Sequence, residues 1–297
     1  MHRETPVRFG PRHELIGVTT VPSADGTPAL GCLLFNSGVL HRVGPHRFNV
    51  KLARALARHG VASIRFDLSG LGDSRAVPGA PPGREQIVRD MQAAMDFMTA
   101  DTGVERFIVV GICSGAVNGY ELALADPRVI GLLMFDGFVY RTLKTHVMRR
   151  WLRFRAMSWG ALLGRVAQRL ASVARRIPAR PAGLFDAAGA PSTPPREEFR
   201  RAMDSLAARG TSLYIAYSGS FVEEYNYEGQ LRDAFAGARF LERLRLDYMP
   251  DVDHTFTALA AQRTVVAAVC DWVSGIAAAA RTRATTSTEP ISGSMGR

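Results

Sequence analysis

The chain has 297 residues, 47% of them hydrophobic, and a formal net charge of +10, which supports a large folded core and excludes a disordered or fibrous chain. Its three cysteines, Cys32, Cys113 and Cys270, are far apart, and no C-x-x-C pair or Cys/His cluster points to zinc or a disulfide framework. The N-terminal stretch is charged and no apolar run is long enough to span a bilayer, so a cytoplasmic location is expected.

Leu15–Val21 and Leu30–Phe35 predict strands on either side of a turn at Ser23–Gly26. Phe48, Leu52 and Leu56 fall at helical spacing within Pro45–His59, and Gly60 supplies the stop. Val61–Phe66 predicts a strand that runs into Asp67-Leu68-Ser69-Gly70-Leu71-Gly72-Asp73-Ser74. Ile87, Met91, Met95 and Met98 make the apolar stripe of the next helix. Phe107–Val110 and Val129–Phe135 read as strands, with a helix at Gly115–Ala125 between them. Arg141–Arg180 reads as helical and basic, Pro178–Pro195 as loop and Arg196–Arg209 as a helix. Ser212–Tyr217 and Leu244–Tyr248 predict the last strands, and Thr257–Ala278 a long apolar helix. An antiparallel start followed by strand–helix alternation implies an α/β fold, a mostly parallel central sheet with helices on both faces. The expected division is a core of 1–140 and 207–280, a helical basic lid insertion of 141–206, and a disordered tail of 281–297.

The most informative segment is Gly111-Ile112-Cys113-Ser114-Gly115, at a strand-to-helix junction. Glycine stands two before and two after Cys113, the spacing of the nucleophile elbow G-x-S-x-G with Cys in the place of Ser. A nucleophile on a sharp turn takes a strained backbone, and side chains at −2 and +2 would collide with neighbouring elements. Ser114 does not fit this pattern, because its own −2 and +2 neighbours are Ile112 and Ala116. A glycine-flanked buried cysteine that packs as a small hydrophobe is the competing structural reading.

With the elbow in register, three further landmarks resemble the α/β-hydrolase superfamily over Leu15 to Ala278. They are Phe35-Asn36-Ser37-Gly38 after an early strand, the Asp67–Ser74 turn, and Asp253-His254 after the last strand. The Asp67–Ser74 turn is similar to D-x-R-G-x-G-x-S of the esterase and serine aminopeptidase-like branches. Cysteine for serine also occurs in dienelactone-hydrolase-like members. The resemblance implies an α/β-hydrolase fold and a hydrolase cleaving an ester or thioester through a Cys113 acyl-enzyme, with His254 as base. It implies an oxyanion hole of the Ser114 amide and the Ser37-Gly38-Val39 stretch. The acid is open between Asp136, at the end of the strand after the elbow, and Glu223 or Glu224, after the penultimate strand. Asp67 and Asp73 read as structural, and His41 and His46 as surface imidazoles beside the oxyanion loop. Acyl transfer or cyclisation through the same acyl-enzyme, and a non-catalytic binding module, are the alternatives.

Ten arginines, one lysine and no acid fall within Arg141–Arg180, against a near-neutral remainder. Arg149, Arg150 and Arg153 are the candidate substrate-binding residues there. A solvated basic face, a cradle for an acyl substrate linked to coenzyme A or an acyl carrier protein, and peripheral contact with an anionic membrane all fit this charge. Nucleic acid is not expected, since no readout motif accompanies it. No metal and no cofactor are expected.

Overall fold

The computed structural model describes residues 1–23, 27–79, 83–155 and 193–286. In chain order the strands are β1 (His2–Phe9), β2 (Leu15–Pro22), β3 (Gly31–Leu34), β4 (Ala62–Phe66), β5 (Phe107–Ile112), β6 (Val129–Phe135), β7 (Ser212–Ser218) and β8 (Leu244–Met249). The helices are α1 (Phe48–Arg58), α2 (Arg84–Thr102), α3 (Ser114–Ala125), α4 (Leu143–Arg155), α5 (Arg196–Ala208), α6 (Gln230–Ala234) and α7 (Leu259–Thr286). The strands form one sheet in the order β1-β2-β4-β3-β5-β6-β7-β8. The first two pairings, β1 with β2 and β2 with β4, are antiparallel, and all later ones are parallel.

Strands β3 to β6 carry almost continuous apolar runs because both faces are covered. On one face Met91, Met95 and Met98 of α2, Val117 and Tyr120 of α3, and Phe199 and Met203 of α5 close the core. On the other, Phe48, Leu52 and Leu56 of α1 meet Val265, Val269 and Val273 of α7. Helix α1 follows β3 and α3 follows β5, and these adjacent strands send their helices to opposite faces. A crevice therefore opens at their carboxyl ends, the topological switch point where α/β sheets bind ligands.

Four features differ from the sequence expectations. Strand β1 is an additional antiparallel edge; its charged, half-exposed sequence HRETPVRF lacks an apolar run, and its Pro6 is tolerated on an edge strand. β2 and β3 do not pair with each other, because β4 lies between them. Helix α5, assigned to the lid insertion up to residue 206, packs Phe199, Met203 and Leu206 into the core against Tyr120 and Phe138. Helix α7 runs on to Thr286, past the expected start of the disordered tail at 281, since Ala and Arg favour helix and no Gly or Pro intervenes. Of the basic segment, residues 156–180 lie outside the described residues, as does the tail from 287 on.

Candidate active site

Cys113 sits between β5 and α3 with φ 57° and ψ −123°, a conformation that L-residues avoid. Its amide donates to the Phe135 carbonyl at 2.9 Å and its carbonyl accepts from the Ala116 amide at 3.0 Å, which holds the turn closed. Gly111 is required by contact, and Gly115 sits in a tight one. A Cβ on Gly111 would lie 2.3 Å from the Gly115 carbonyl oxygen, and one on Gly115 would lie 3.1 Å from the Asn36 carbonyl oxygen. The first protects the start of α3; the second lets the loop after β3 lie directly on the elbow.

His254 lies in the loop after β8, with its imidazole close enough to the Cys113 thiol to lower the thiol's pKa. Its loop is fixed from both sides. Phe256 is fully buried and stacks near Phe48 and Phe135, with ring centroids 4.5 and 4.8 Å away. Asp253 accepts from the Thr257 amide at 2.9 Å, and the His254 amide donates to Ser220 Oγ at 2.9 Å. The Phe221 ring meets the imidazole edge-on at 5.1 Å.

Asp136, at the carboxyl end of β6, reaches His254 Nδ1 with Oδ2 at 2.8 Å. The same carboxylate accepts from the Ser218 amide at 2.7 Å and the Ser218 hydroxyl at 2.6 Å. Its side chain is fully buried. Glu223 and Glu224, the other candidate acids, point elsewhere: Glu223 pairs with Arg149 at 2.6 Å and Glu224 with Arg141. Ser218 and Ser220 were not singled out by sequence reasoning. Ser218 ends β7 and Ser220 lies in the 3-10 turn Gly219–Phe221 that follows, just before Glu223 and Glu224. The signal was the Ser-Gly-Ser after a strand, whose glycine takes a close approach: a Cβ on Gly219 would fall 2.0 Å from the Pro250 carbonyl oxygen.

The electrostatics follow this chain of contacts. The bond to Asp136, then that to Cys113, raises the His254 pKa to about 10. The bond to His254 lowers the Cys113 thiol against the opposing effect of burial, with help from the Ser114 amide. Cys32 and Cys270 behave oppositely: burial pushes both thiols up, Cys270 to about 11. Of the three thiols, only that of Cys113 is therefore shifted toward the thiolate, by the imidazole beside it.

The loop after β3 is held by Asn36, whose amide donates to the Leu40 carbonyl at 2.7 Å and to Asp67 at 2.8 Å while its oxygen accepts from the Leu68 amide at 2.7 Å. This presents Gly38 to the elbow, its amide 2.6 Å from Ser114 Oγ. Ser37 lies over Gly115, and Val39 projects into solvent at 84% exposure. A cleft of about 470 Å³ opens beside Gly38 and Ser114, walled by Leu68, Leu71 and Ile87 and carrying Gln86, Asp90 and Asn118.

His41, Asp67 and Asp73 bring possible ligand atoms within 4.8 Å of one another. The Arg42 guanidinium sits among them, 2.7 Å from Asp73 and 2.7 Å from His41 Nε2 and also paired with Asp67, so a cation already fills that cluster. His46 is exposed, as expected of a surface imidazole. Three described cations of the basic segment have acidic partners. Glu224 and Glu223 neutralise Arg141 and Arg149, and Asp233 approaches Lys144 at 3.9 Å. Arg150 lies on the exposed face of α4 beside Leu143 and Val147, and the Arg153 side chain lies outside the described residues. No described helix is long and apolar enough to cross a membrane.

Comparison with known proteins places this geometry. No sequence match to a curated protein is found. The chain is similar in structure to an α/β serine hydrolase without lid from Xanthomonas campestris, at 14% identity, 91% of this chain and 94% of that chain covered, and a TM-score of 0.53. It is similar to a dienelactone hydrolase from Anabaena variabilis at 15% identity, 91% and 96% coverage and a TM-score of 0.53. A proline iminopeptidase from Mycobacterium smegmatis aligns at 17% identity, 94% and 100% coverage and a TM-score of 0.52. At such identities these likenesses establish the fold alone. The family model for serine aminopeptidase, S33, matches residues 38–212, more than half of the chain and the stretch that holds Gly38, Cys113 and Asp136. The protein thus belongs to the serine aminopeptidase S33 family and is an enzyme of the α/β-hydrolase fold.

Proposed function

We propose that the protein is a cysteine-dependent hydrolase that cleaves an ester or thioester through an acyl-enzyme on Cys113. The observations that carry this reading are buried Asp136 holding His254 Nδ1 at 2.8 Å, the imidazole lying near the Cys113 thiol and lowering its pKa, and a turn whose φ is 57° at the thiol-bearing residue. Asp136 holds the imidazole by Nδ1, which leaves Nε2 to face the sulfur. The thiolate attacks the acyl carbon and the carbonyl electron pair moves to oxygen. Collapse of the tetrahedral adduct expels the leaving group, which takes the proton from His254. Water, deprotonated by the then neutral imidazole, cleaves the thioester and restores the thiol. The oxyanion is met by the Ser114 amide at the start of α3, on the side of the elbow that the Ser37–Val39 loop faces.

Among the described residues Gly38 and Val39 are exposed and the cleft beside Ser114 opens to solvent, which favours hydrolysis over acyl transfer. Intact mass after incubation with p-nitrophenyl acetate tests the reading. The native chain gains one acetyl group that turns over, and Cys113→Ala gains none. An unmodified native chain, or equal labelling of the variant, overturns the covalent mechanism.

A further inference from the structure

We propose that the Ser114 hydroxyl, not only its amide, is an oxyanion donor, working as a relay from the Gly38 amide to the substrate oxygen. This rests on the acyl-enzyme reading above. The Gly38 amide is the donor that the loop after β3 turns toward the elbow, and it is already engaged, 2.6 Å from Ser114 Oγ. The loop cannot easily close the remaining distance. A Cβ on Gly115 would lie only 3.1 Å from the Asn36 carbonyl oxygen, so loop and helix are already in close packing. Nor can the loop easily withdraw, since Asn36 is held by three hydrogen bonds at 2.7, 2.8 and 2.7 Å. The amide therefore meets the hydroxyl first.

A serine hydroxyl has one hydrogen to give and two lone pairs to receive. At Ser114 a lone pair takes the Gly38 hydrogen, and no described protein acceptor takes the hydroxyl hydrogen. Both Gly38 and Ser114 line the cleft beside the nucleophile. A hydroxyl that accepts from one donor becomes a stronger donor itself, because the two dipoles align. When the Cys113 sulfur bonds to the acyl carbon, the carbonyl pair moves onto oxygen, and the Ser114 O–H points its hydrogen at that charge. The hydroxyl keeps its proton throughout. The proton that leaves with the departing group comes from His254. Ser114 would then supply two donors, amide and hydroxyl, to one oxyanion.

Two reactions of the same sulfur separate this role from a structural one. Acylation by p-nitrophenyl acetate builds an oxyanion; alkylation by iodoacetamide does not. Ser114→Ala should slow acylation by about a hundredfold, the usual effect of one lost oxyanion donor, with KM little changed. Its alkylation rate and the pH dependence of that rate should stay within about twofold of the native chain, since the thiolate and its imidazole are intact. Ser114→Thr, which keeps the hydroxyl, should recover most of the acylation rate. Equal acylation in Ser114→Ala and the native chain overturns the proposal, and so does a parallel fall in acylation and alkylation, which would mark a role in shaping the elbow. A native chain that is alkylated at Cys113 but never acylated overturns the acyl-enzyme reading itself, and the relay with it.

Discussion

The ends of β4 and β6 carry two carboxylates that look alike in sequence and in burial. Asp67 and Asp136 each follow a buried strand of the central sheet, and each has a fully buried side chain. Their partners differ. Asp67 accepts from the Arg42 amide at 2.7 Å, from Asn36 at 2.8 Å, from the Asp73 amide at 3.2 Å, and from the Arg42 guanidinium. None of these donors gives up a proton near neutral pH, and the His41 imidazole, 3.5 Å from Asp67, is itself held by Arg42 and Asp73, so Asp67 ties together the turns beside the site. Asp136 accepts from Ser218 and from His254, and the imidazole does exchange a proton. A buried strand-end carboxylate therefore does not become a catalytic acid by position; it needs a partner whose protonation it can set.

The sharpest test of that contrast begins at the nucleophile beside the imidazole that Asp136 holds. Cys113→Ala should lower turnover of an activated ester more than about 10⁴-fold, because the remaining site keeps only binding and oxyanion donors. Residual turnover above that level would mean that the imidazole activates water directly, and steady-state kinetics on the purified variant decides it.

Asp136→Asn should come next, with kcat down about 10²–10³-fold, less than in serine triads because a thiolate forms more readily. The pH profile gives the sign. In the native chain the His254 contact stabilises the thiolate, so iodoacetamide alkylation should show its inflection below the ordinary thiol value of about 8.5. His254, held protonated to about 10, keeps its acid role across that range. Without Asp136 the imidazolium loses its principal support, and the inflection should rise toward the ordinary thiol value. An unmoved inflection would leave Asp136 with a turn-forming role only, and the contrast with Asp67 would collapse.

Asp67→Asn should do the reverse, sparing chemistry and costing stability. It leaves Arg42 without its buried counter-charge and sets an NH₂ group against several donors. The expected loss is about 3 kcal/mol, a Tm drop of roughly 6–12 °C. The kcat of the folded fraction should stay within about fivefold of native. Thermal denaturation alongside kinetics at a low temperature separates the two. A kcat loss matching that of Asp136→Asn would place Asp67 in the chemistry.

The elbow and the α/β order could be read from the chain because both are local. Gly111 and Gly115 report steric contacts, and β5 and β6 report burial on both faces through uninterrupted apolar runs. The pairing of Asp136 with His254 joins residues 118 positions apart, so position alone left Glu223 and Glu224 in contention. What decides it is Ser218, which turns both of its donors onto Asp136, and nothing in a lone serine at a strand end announces that. β1 was not visible because an edge strand that pairs on one side needs no apolar run. Its Glu4 instead bonds Arg54 on α1 at 2.7 Å and Arg65 on β4 at 2.6 Å, contacts that no local pattern encodes. Within the described part of the basic segment, Arg141 and Arg149 meet acids that arrive from the loop after β7, which a charge count along the chain does not see.

That last point gives the smallest expected effect. Glu223 stands 2.6 Å from Arg149, and both lie on the side of the site where Phe221 meets His254. The pair is partly exposed, with side-chain exposures of 26% for Arg149 and 50% for Glu223, so its contribution to stability is about 0–1 kcal/mol. Arg149→Gln removes a charge that is already neutralised nearby, and it should change KM for a coenzyme A thioester by no more than about twofold. Arg150 has no acidic partner among the described residues, so Arg150→Gln should raise that KM further than Arg149→Gln does if the segment attracts an anionic carrier. The difference should fade as salt rises, because exposed charges are screened within about 8–10 Å at ordinary ionic strength. KM values for the thioester and for a small neutral ester, measured at low and high salt, make the comparison. Equal, salt-independent values for both variants and both substrates would show that the described arginines hold the loop after β7 in place and attract nothing.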